Sequence, residues 1–224
     1  MTSTMTCPVC SSDRSTLAVV TTKNGLYMEY VRCSSCRTVY APEVLTWEPD
    51  DFKRKIYNPD YIKFDPDFME RRPRIYADSL YKQRFVSFAG RHLDYGGGNG
   101  RLSQILRKEA SWDSCSFDRF YGDVKLPEGR FDLVTAIEVL EHAVNVHELW
   151  SDLTKLINPG GVLFVSTWTA PDDLEATGDG WFYLLPRNGH FIFYSQQAFD
   201  LLGKQYGFKH FSSSDAIHQF QKEL

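Results

Sequence analysis

The chain has 224 residues, enough to bury one good core with room for a small appendage. Its formal net charge of −4 argues against a general nucleic-acid binder, which would turn a basic face to phosphates, and no apolar run approaches the roughly 20 residues that a membrane span needs. The opening "MTSTMTCPVC" lacks the basic and apolar regions of a secretory signal, the final "QKEL" means nothing as a retention tail without one, and a cytoplasmic protein is expected.

Residues 1–45 carry four of the five cysteines and two strand-like pieces, Leu17–Thr22 and Tyr27–Arg32, joined by the hairpin signal Lys23-Asn24-Gly25. Cys7-Pro-Val-Cys10 and Cys33-Ser-Ser-Cys36, with 22 residues between the pairs, bring four thiolates within tetrahedral reach, the pattern of a zinc ribbon. Disulfides explain such pairs poorly in a reducing compartment. A closed site of four thiolates has no open position, so the expected Zn2+ is structural and supplies folding energy to a segment with little core of its own.

Residues 46–90 read as a connector and helical lid. Pro, Asp and Tyr dominate from Trp47 to about Asp67, which predicts little regular structure, and apolar Ile75, Leu80, Phe85 and Phe88 predict a helix over Arg74–Ala89, ended by Gly90. From residue 91 to 224 strand and helix alternate. Strands are expected at Arg91–Tyr95, at Ser114–Phe117, from the start of "FDLVTAIEVL" and at "VLFVSTW", the last preceded by the turn "NPGG". Helices are expected at Gly100–Ala110, Val146–Ile157 and Ser195–Tyr206, the last capped by Ser195 and stopped by Gly207, with two short strands after it. Such alternation predicts an α/β fold with a mostly parallel sheet covered on both faces. Cys115 reads as core, and His92 and His147 as surface or helix residues without a role.

The stretch "HLDYGGGNGRLSQIL", His92 to Leu106, ends a strand in glycines and opens a helix. Glycines let the backbone turn sharply and leave no Cβ in a ligand's way, and ligands of open α/β sheets sit outside the carboxyl ends of the strands. Spacing excludes two ligand classes: a dinucleotide fingerprint would need a glycine at Arg101, and the Gly-Lys-Ser/Thr of a phosphate loop is absent. What stands is Asp94-x-Gly96-x-Gly98-x-Gly100, which closely resembles the first motif of class I S-adenosylmethionine-dependent methyltransferases. Asp118 falls 24 residues beyond Asp94, where the resemblance implies an acid that accepts the ribose hydroxyls, and a carboxylate can take two such bonds side by side. Gly122-Asp123 is similar to a pair the family uses beside the adenine. "FDLVTAIEVLEHAVNV" and "LINPGGVLFVST" resemble the fourth strand with its loop, and the turn with the fifth strand, of the ubiquinone-biosynthesis type. "YVRCSSCRTVYAPE" resembles a zinc-binding head that precedes some bacterial methyltransferase domains, including ones acting on sugars and natural products. The resemblance implies a Rossmann-like doubly wound sheet that binds S-adenosylmethionine at Asp94, Gly96, Gly98, Gly100, Asp118, Asp123 and Glu138. In one departure, only four residues separate Asp118 from Asp123, too few for the helix that usually joins the second and third strands.

The transferred methyl leaves a sulfonium by in-line displacement, so the main demand is to hold donor and acceptor close and aligned. For a hydroxyl acceptor a nearby base helps, and Glu138, Glu141 and His142 fall where the fourth strand ends. His142 and His190 are the candidate bases because imidazole titrates near neutral pH, and Glu138 joins them as a catalytic candidate. In "WFYLLPRNGHFIFYS", Trp181, Tyr183, Arg187 and His190 offer flat apolar faces and directional donors that suit a sugar or an aromatic ring. "PRNGHFIFYS" is similar to a segment of methyltransferases found with polysaccharide pathways, which favours a glycan or other small hydroxyl-bearing acceptor. Tyr57 and Tyr61 are placed to cover the cofactor. Two alternatives stay open: methyl transfer to a phenol, a quinone precursor, nitrogen or carbon, and a ribbon that docks on RNA or a protein partner, the RNA version weakened by the few basic residues before position 46.

Overall fold

A computed structural model describes residues 6–121 and 125–224. β1 (Ser15–Thr21) and β2 (Met28–Cys33) form an antiparallel hairpin in register from Ser15 opposite Cys33 to Thr21 opposite Met28, with a bulge between Leu17 and Val19. Its turn takes two residues with positive φ, Asn24 and Gly25, as the sequence signal requires. β3 (Val39–Tyr40) pairs with β2 on one side. Its other edge is filled by a strand from far along the chain, Ile192–Phe193 (β8), with Val39 opposite Phe193. The cysteine-bearing hairpin is therefore built into the body of the protein. Buried Arg32 adds a second tie, giving two hydrogen bonds to Glu175 (2.6 and 3.0 Å) and one to the Pro171 carbonyl.

The connector is more regular than its composition suggests. α1 (Pro49–Lys55) starts with proline in its first turn and a capping box between Glu48 and Asp51, and it places Asp50 and Asp51 first and Lys53, Arg54 and Lys55 last. Those charges match the helix dipole, so seven residues suffice. α2 (Tyr61–Phe64) is one turn. α3 (Arg71–Ser79) begins earlier than expected and continues as a π turn, Leu80–Arg84, well short of Ala89. Phe85 leaves helical geometry (φ −128°, ψ 48°) because its ring and that of Phe88 fold down onto Phe164 and Trp112.

The main sheet contains β4 (Arg91–Tyr95), β5 (Asp113–Phe117), β6 (Phe131–Ile137), β7 (Ile157–Ser166), β9 (Phe208–Ser212) and β10 (Ile217–Lys222). Their order is β5-β4-β6-β7-β10-β9. The first four run parallel, and β10 lies antiparallel to both of its neighbours. Between the strands stand α4 (Arg101–Ala110), α5 (Val146–Leu156), the single turn α6 (Leu174–Thr177) and α7 (Gln196–Gln205). Alternate strand residues face opposite layers: Leu133 and Phe164 pack with Leu102, Ile105 and Leu80, whereas Val134 and Val165 join the core that holds Trp150, Leu153 and Phe199. "NPGG", expected as a turn, is an irregular start of β7, where the register moves from Phe131–Ile157 to Leu133–Val162 and Gly160 takes a φ of 75°. Among the described residues no strand lies beyond β5, in keeping with the short spacing after Asp118.

Candidate active site

β4 ends in the predicted glycine cradle. Gly96, Gly98 and Gly100 all take positive φ (75°, 55° and 74°), and α4 opens at Arg101. The amides of Gly96 and Gly97 donate to the Phe117 carbonyl, which locks the loop to the end of β5. Gly98 N donates to Asp118 Oδ2 at 2.9 Å and Phe120 N to Oδ1 at 2.8 Å, so the acid at the end of β5 is fixed by backbone amides with lone pairs to spare.

This loop is one wall of a cavity of about 810 Å3, which also takes in Asp94, Asp118, Glu138 and His142. Tyr57 and Tyr61 reach it from the connector: Tyr57 stacks on Phe120 with ring centres 5.2 Å apart, and Tyr61 meets Phe68 edge-on. Sequence reasoning missed Phe68, Phe120 and the ion pair of Arg72 with Asp65, a two-toothed contact at 2.9 and 2.7 Å on the same wall. The seven-residue spacing of that pair was visible, but a segment read as irregular offers no face on which to place it.

Asp94 is buried beneath the cradle, and burial pushes its carboxyl up to about 7 against the hydrogen bond from Thr135 Oγ1 (2.8 Å), with the Asp118 charge adding to the rise. His92 is not a surface residue. It is fully buried on β4, with Nδ1 2.7 Å from Ser114 Oγ and Nε2 3.1 Å from Thr135 Oγ1, and burial lowers its pKa to about 3. Thr135 spends its only proton on Asp94, so the neutral imidazole donates from Nε2 and accepts at Nδ1. A directed chain Ser114→His92→Thr135→Asp94 results.

At the end of β6, Glu138 sits at a φ of 53°, an uncommon value outside glycine that aims its side chain into the cavity wall. Its Oε1 accepts from Ser166 Oγ (2.9 Å), which is in turn bonded to Tyr76, and its Oε2 faces Tyr183 OH (2.9 Å). The same phenol lies 2.6 Å from Glu141 Oε1. One phenolic proton cannot serve two carboxylates fully, and burial raises both acids to about 7, Glu138 also through the Glu141 charge. His142 and His190 pack edge to face with ring centres 5.2 Å apart, and burial lowers the pKa of both.

The remaining candidates separate. His142 lines the cavity, and His190 lies behind it with Nδ1 2.9 Å from the Tyr183 carbonyl. Tyr183 is tied to the two acids. Arg187 donates to the Ile56 carbonyl and Asn58 Oδ1 (2.8 Å each) and covers Phe64, so its donors clasp the connector instead of facing the cavity. Trp181 packs on Phe193 beside a second groove, near Arg37 and Ser195. Asp123 lies outside the described residues. His147 bonds Tyr206 OH at 2.9 Å, and Cys115 is a half-buried strand residue.

Cys7, Cys10, Cys33 and Cys36 converge at the base of the hairpin. Sγ separations of 3.6 Å (Cys7–Cys36) and 3.5 Å (Cys10–Cys33) approach the roughly 3.8 Å expected of thiolates around a tetrahedral zinc with 2.3 Å bonds. Hydrogen bonds from Cys7 and Thr38 lower the Cys36 pKa, while the bond with Cys36 and burial raise Cys7 and burial raises Cys10. The residues fit the ion.

A glycine cradle at the first parallel strand, an acid at the end of the second and an antiparallel final hairpin define the class I methyltransferase fold with a four-cysteine ribbon at its N-terminal side. A family model described as a methyltransferase domain matches residues 68–213. The chain belongs to that family. It is similar to the ubiquinone biosynthesis O-methyltransferase of Coxiella burnetii, 28% identical over 111 residues that cover 39% of this chain and 47% of that protein. It is also similar to a sterol 24-C-methyltransferase (ERG6B) of Gibberella zeae, 30% identical over 97 residues, 40% of this chain and 25% of that protein. The matches thus span less than half the length of these curated relatives. Among solved structures, an O-methyltransferase family protein from Burkholderia thailandensis superposes with a TM-score of 0.52 at 17% identity, covering 72% of this chain and 58% of that one, a likeness of fold.

Proposed function

We propose that the protein transfers a methyl group from S-adenosylmethionine to a hydroxyl oxygen of a small polar acceptor, a sugar unit being the preferred class. The observation that carries this reading is the positive-φ glycine cradle, whose Gly96 and Gly98 stand beside Asp118 on one wall of an 810 Å3 cavity, with Gly98 N bonded to that acid. Asp118 takes the ribose hydroxyls and Asp94 stands toward the cationic end of the cofactor. In the transfer the S–CH3 bond breaks with its electron pair left on sulfur, the O–CH3 bond forms, and the hydroxyl proton passes to a base. His142 and Glu138 line the cavity where that proton leaves, with His190 backing His142. The name of the Coxiella relative favours oxygen as acceptor, where that of the Gibberella relative gives carbon, and the aromatic side chains of the cavity suit a sugar or other ring. The four cysteines hold structural Zn2+.

Calorimetry of the zinc-loaded protein with S-adenosylmethionine is expected to show one-to-one binding, and Asp118→Ala to weaken it about 30- to 100-fold, since two charge-assisted hydrogen bonds are lost. Absence of binding by the folded protein would remove the proposal.

The buried Asp94 adds a pH signature. A cationic ligand binds its ionised form better, so affinity rises with pH through about 7 and then levels off. Thr135→Val removes the donor that favours ionisation, so the rise is expected to move to higher pH and affinity at neutral pH to fall about 10-fold, recovering near pH 9. Asp118 is the other charge acting on Asp94, and His92 stays neutral throughout. Calorimetry between about pH 6 and pH 9 reads the shift. A flat profile in both proteins means that Asp94 does not face the charge.

A further inference from the structure

We propose that Glu141, His142 and His190 form a second metal site, separate from the cysteine ribbon, that takes a divalent transition ion such as Zn2+ or Mn2+ beside the cavity. One ligand atom from each residue lies within 4.8 Å of the other two, and His142 Nε2 stands 3.8 Å from Glu141 Oε1. Ligands around an ion with bonds of about 2.1 Å are roughly 3.4 Å apart, so the three close on it by about 1 Å or less.

Three features point to a cation and not merely to proximity. Glu141 is fully buried and its Oε2 has no hydrogen-bond partner, although a buried carboxylate oxygen without one is costly. Among the described residues no lysine or arginine forms an ion pair with it, and Arg72, whose charge reaches it, is itself paired with Asp65. The Tyr183 carbonyl, an acceptor only, fixes the His190 proton on Nδ1 and leaves the Nε2 lone pair for an ion, which is the usual support of a ligating histidine.

Two histidines and one carboxylate leave open positions. His142 lines the cavity, so an ion held there would acidify a hydroxyl bound on that side, and Glu138 would be left to receive its proton. That last role rests on the methyl-transfer reading. The ion site itself does not.

The test is metal content and cobalt spectroscopy on the full chain. Wild-type protein saturated with metal and desalted is expected to hold two equivalents, and the Co2+-loaded form to show ribbon thiolate-to-cobalt charge transfer together with visible bands of a nitrogen–oxygen site. His142→Ala and Glu141→Gln are each expected to lose one equivalent and the nitrogen–oxygen bands and to keep the thiolate band, which also certifies a folded ribbon. Glu141→Gln preserves side-chain volume, so a fold defect in His142→Ala does not blunt the test. One equivalent in the wild type, or two in both variants, overturns the site. Two equivalents without binding of S-adenosylmethionine would instead overturn the proposed function and leave the site standing.

Discussion

Cys36→Ser is expected to lower turnover about 100-fold or more while changing cofactor affinity less than about 3-fold, because in the proposed reading the ribbon braces His190 and Tyr183 behind the cavity and not the glycine cradle. The hairpin of residues 15–33 has little core of its own, and a structural zinc in such a segment contributes about 10 kcal/mol or more of apparent binding energy to folding. That energy is delivered along identifiable contacts. β3 pairs with β8, Ser195 Oγ donates to the Cys36 carbonyl at 2.6 Å, and Tyr30 OH on β2 donates to the His190 carbonyl at 2.7 Å. Loss of the ion loosens β3, then β8, and with it His190 and the loop that carries Tyr183. Misplacing such groups by about 1 Å is enough for a 100-fold loss. Asp94, Gly96, Gly98 and Asp118 sit on β4, β5 and their loops and make none of these contacts. Turnover and calorimetry on the same preparation separate the cases. Unchanged turnover would show the ribbon to be a passive appendage, and parallel loss of both quantities would mean that the whole chain unfolds without its metal.

What the sequence disclosed is what backbone geometry and ligand valence dictate locally. Glycines at 96, 98 and 100 stand out because a tight turn with three positive φ values tolerates little else, and two CxxC pairs stand out because a tetrahedral ion needs four thiolates at short spacing. The strands β6 and β7 were legible for a similar reason, since each contains an apolar run next to turn residues. What stayed hidden depends on partners far away in the chain. β8 has two residues and exists because β3, some 150 residues earlier, offers an open edge. Arg187 has the chemistry of a substrate clamp, and only the fold shows its donors spent on Ile56 and Asn58. His92 reads as polar and outward, whereas Ser114 and Thr135 on the flanking strands satisfy both of its nitrogens in the core. The connector misled because its prolines and acids signal loops in isolation, yet serve here as first-turn residues of α1.

A pair of adjacent alanine substitutions in the cradle is expected to part binding from folding. In Gly98→Ala the new Cβ meets nothing closer than the Phe68 ring at 3.9 Å, so the protein tolerates it sterically and bears only the left-handed backbone, about 1 kcal/mol at a φ of 55°. That Cβ stands at the wall of the cavity, where a bound cofactor must approach the bare backbone. Affinity for S-adenosylmethionine is therefore expected to fall about 100-fold with only a small loss of stability. In Gly97→Ala the Cβ would lie 2.2 Å from Asp94 Oδ2 and 2.3 Å from Ser116 Oγ, inside the support of the cradle. Neither side chain can withdraw far: Asp94 is buried and bonded to Thr135, and Ser116 sits on β5, paired with β4. This variant is expected to lose about 1–3 kcal/mol of stability and to bind poorly as a consequence. Urea unfolding beside calorimetry gives both quantities for each protein. Wild-type affinity in Gly98→Ala would mean that the ligand lies elsewhere in the cavity, for the only thing that substitution adds is a methyl group in the cofactor's path.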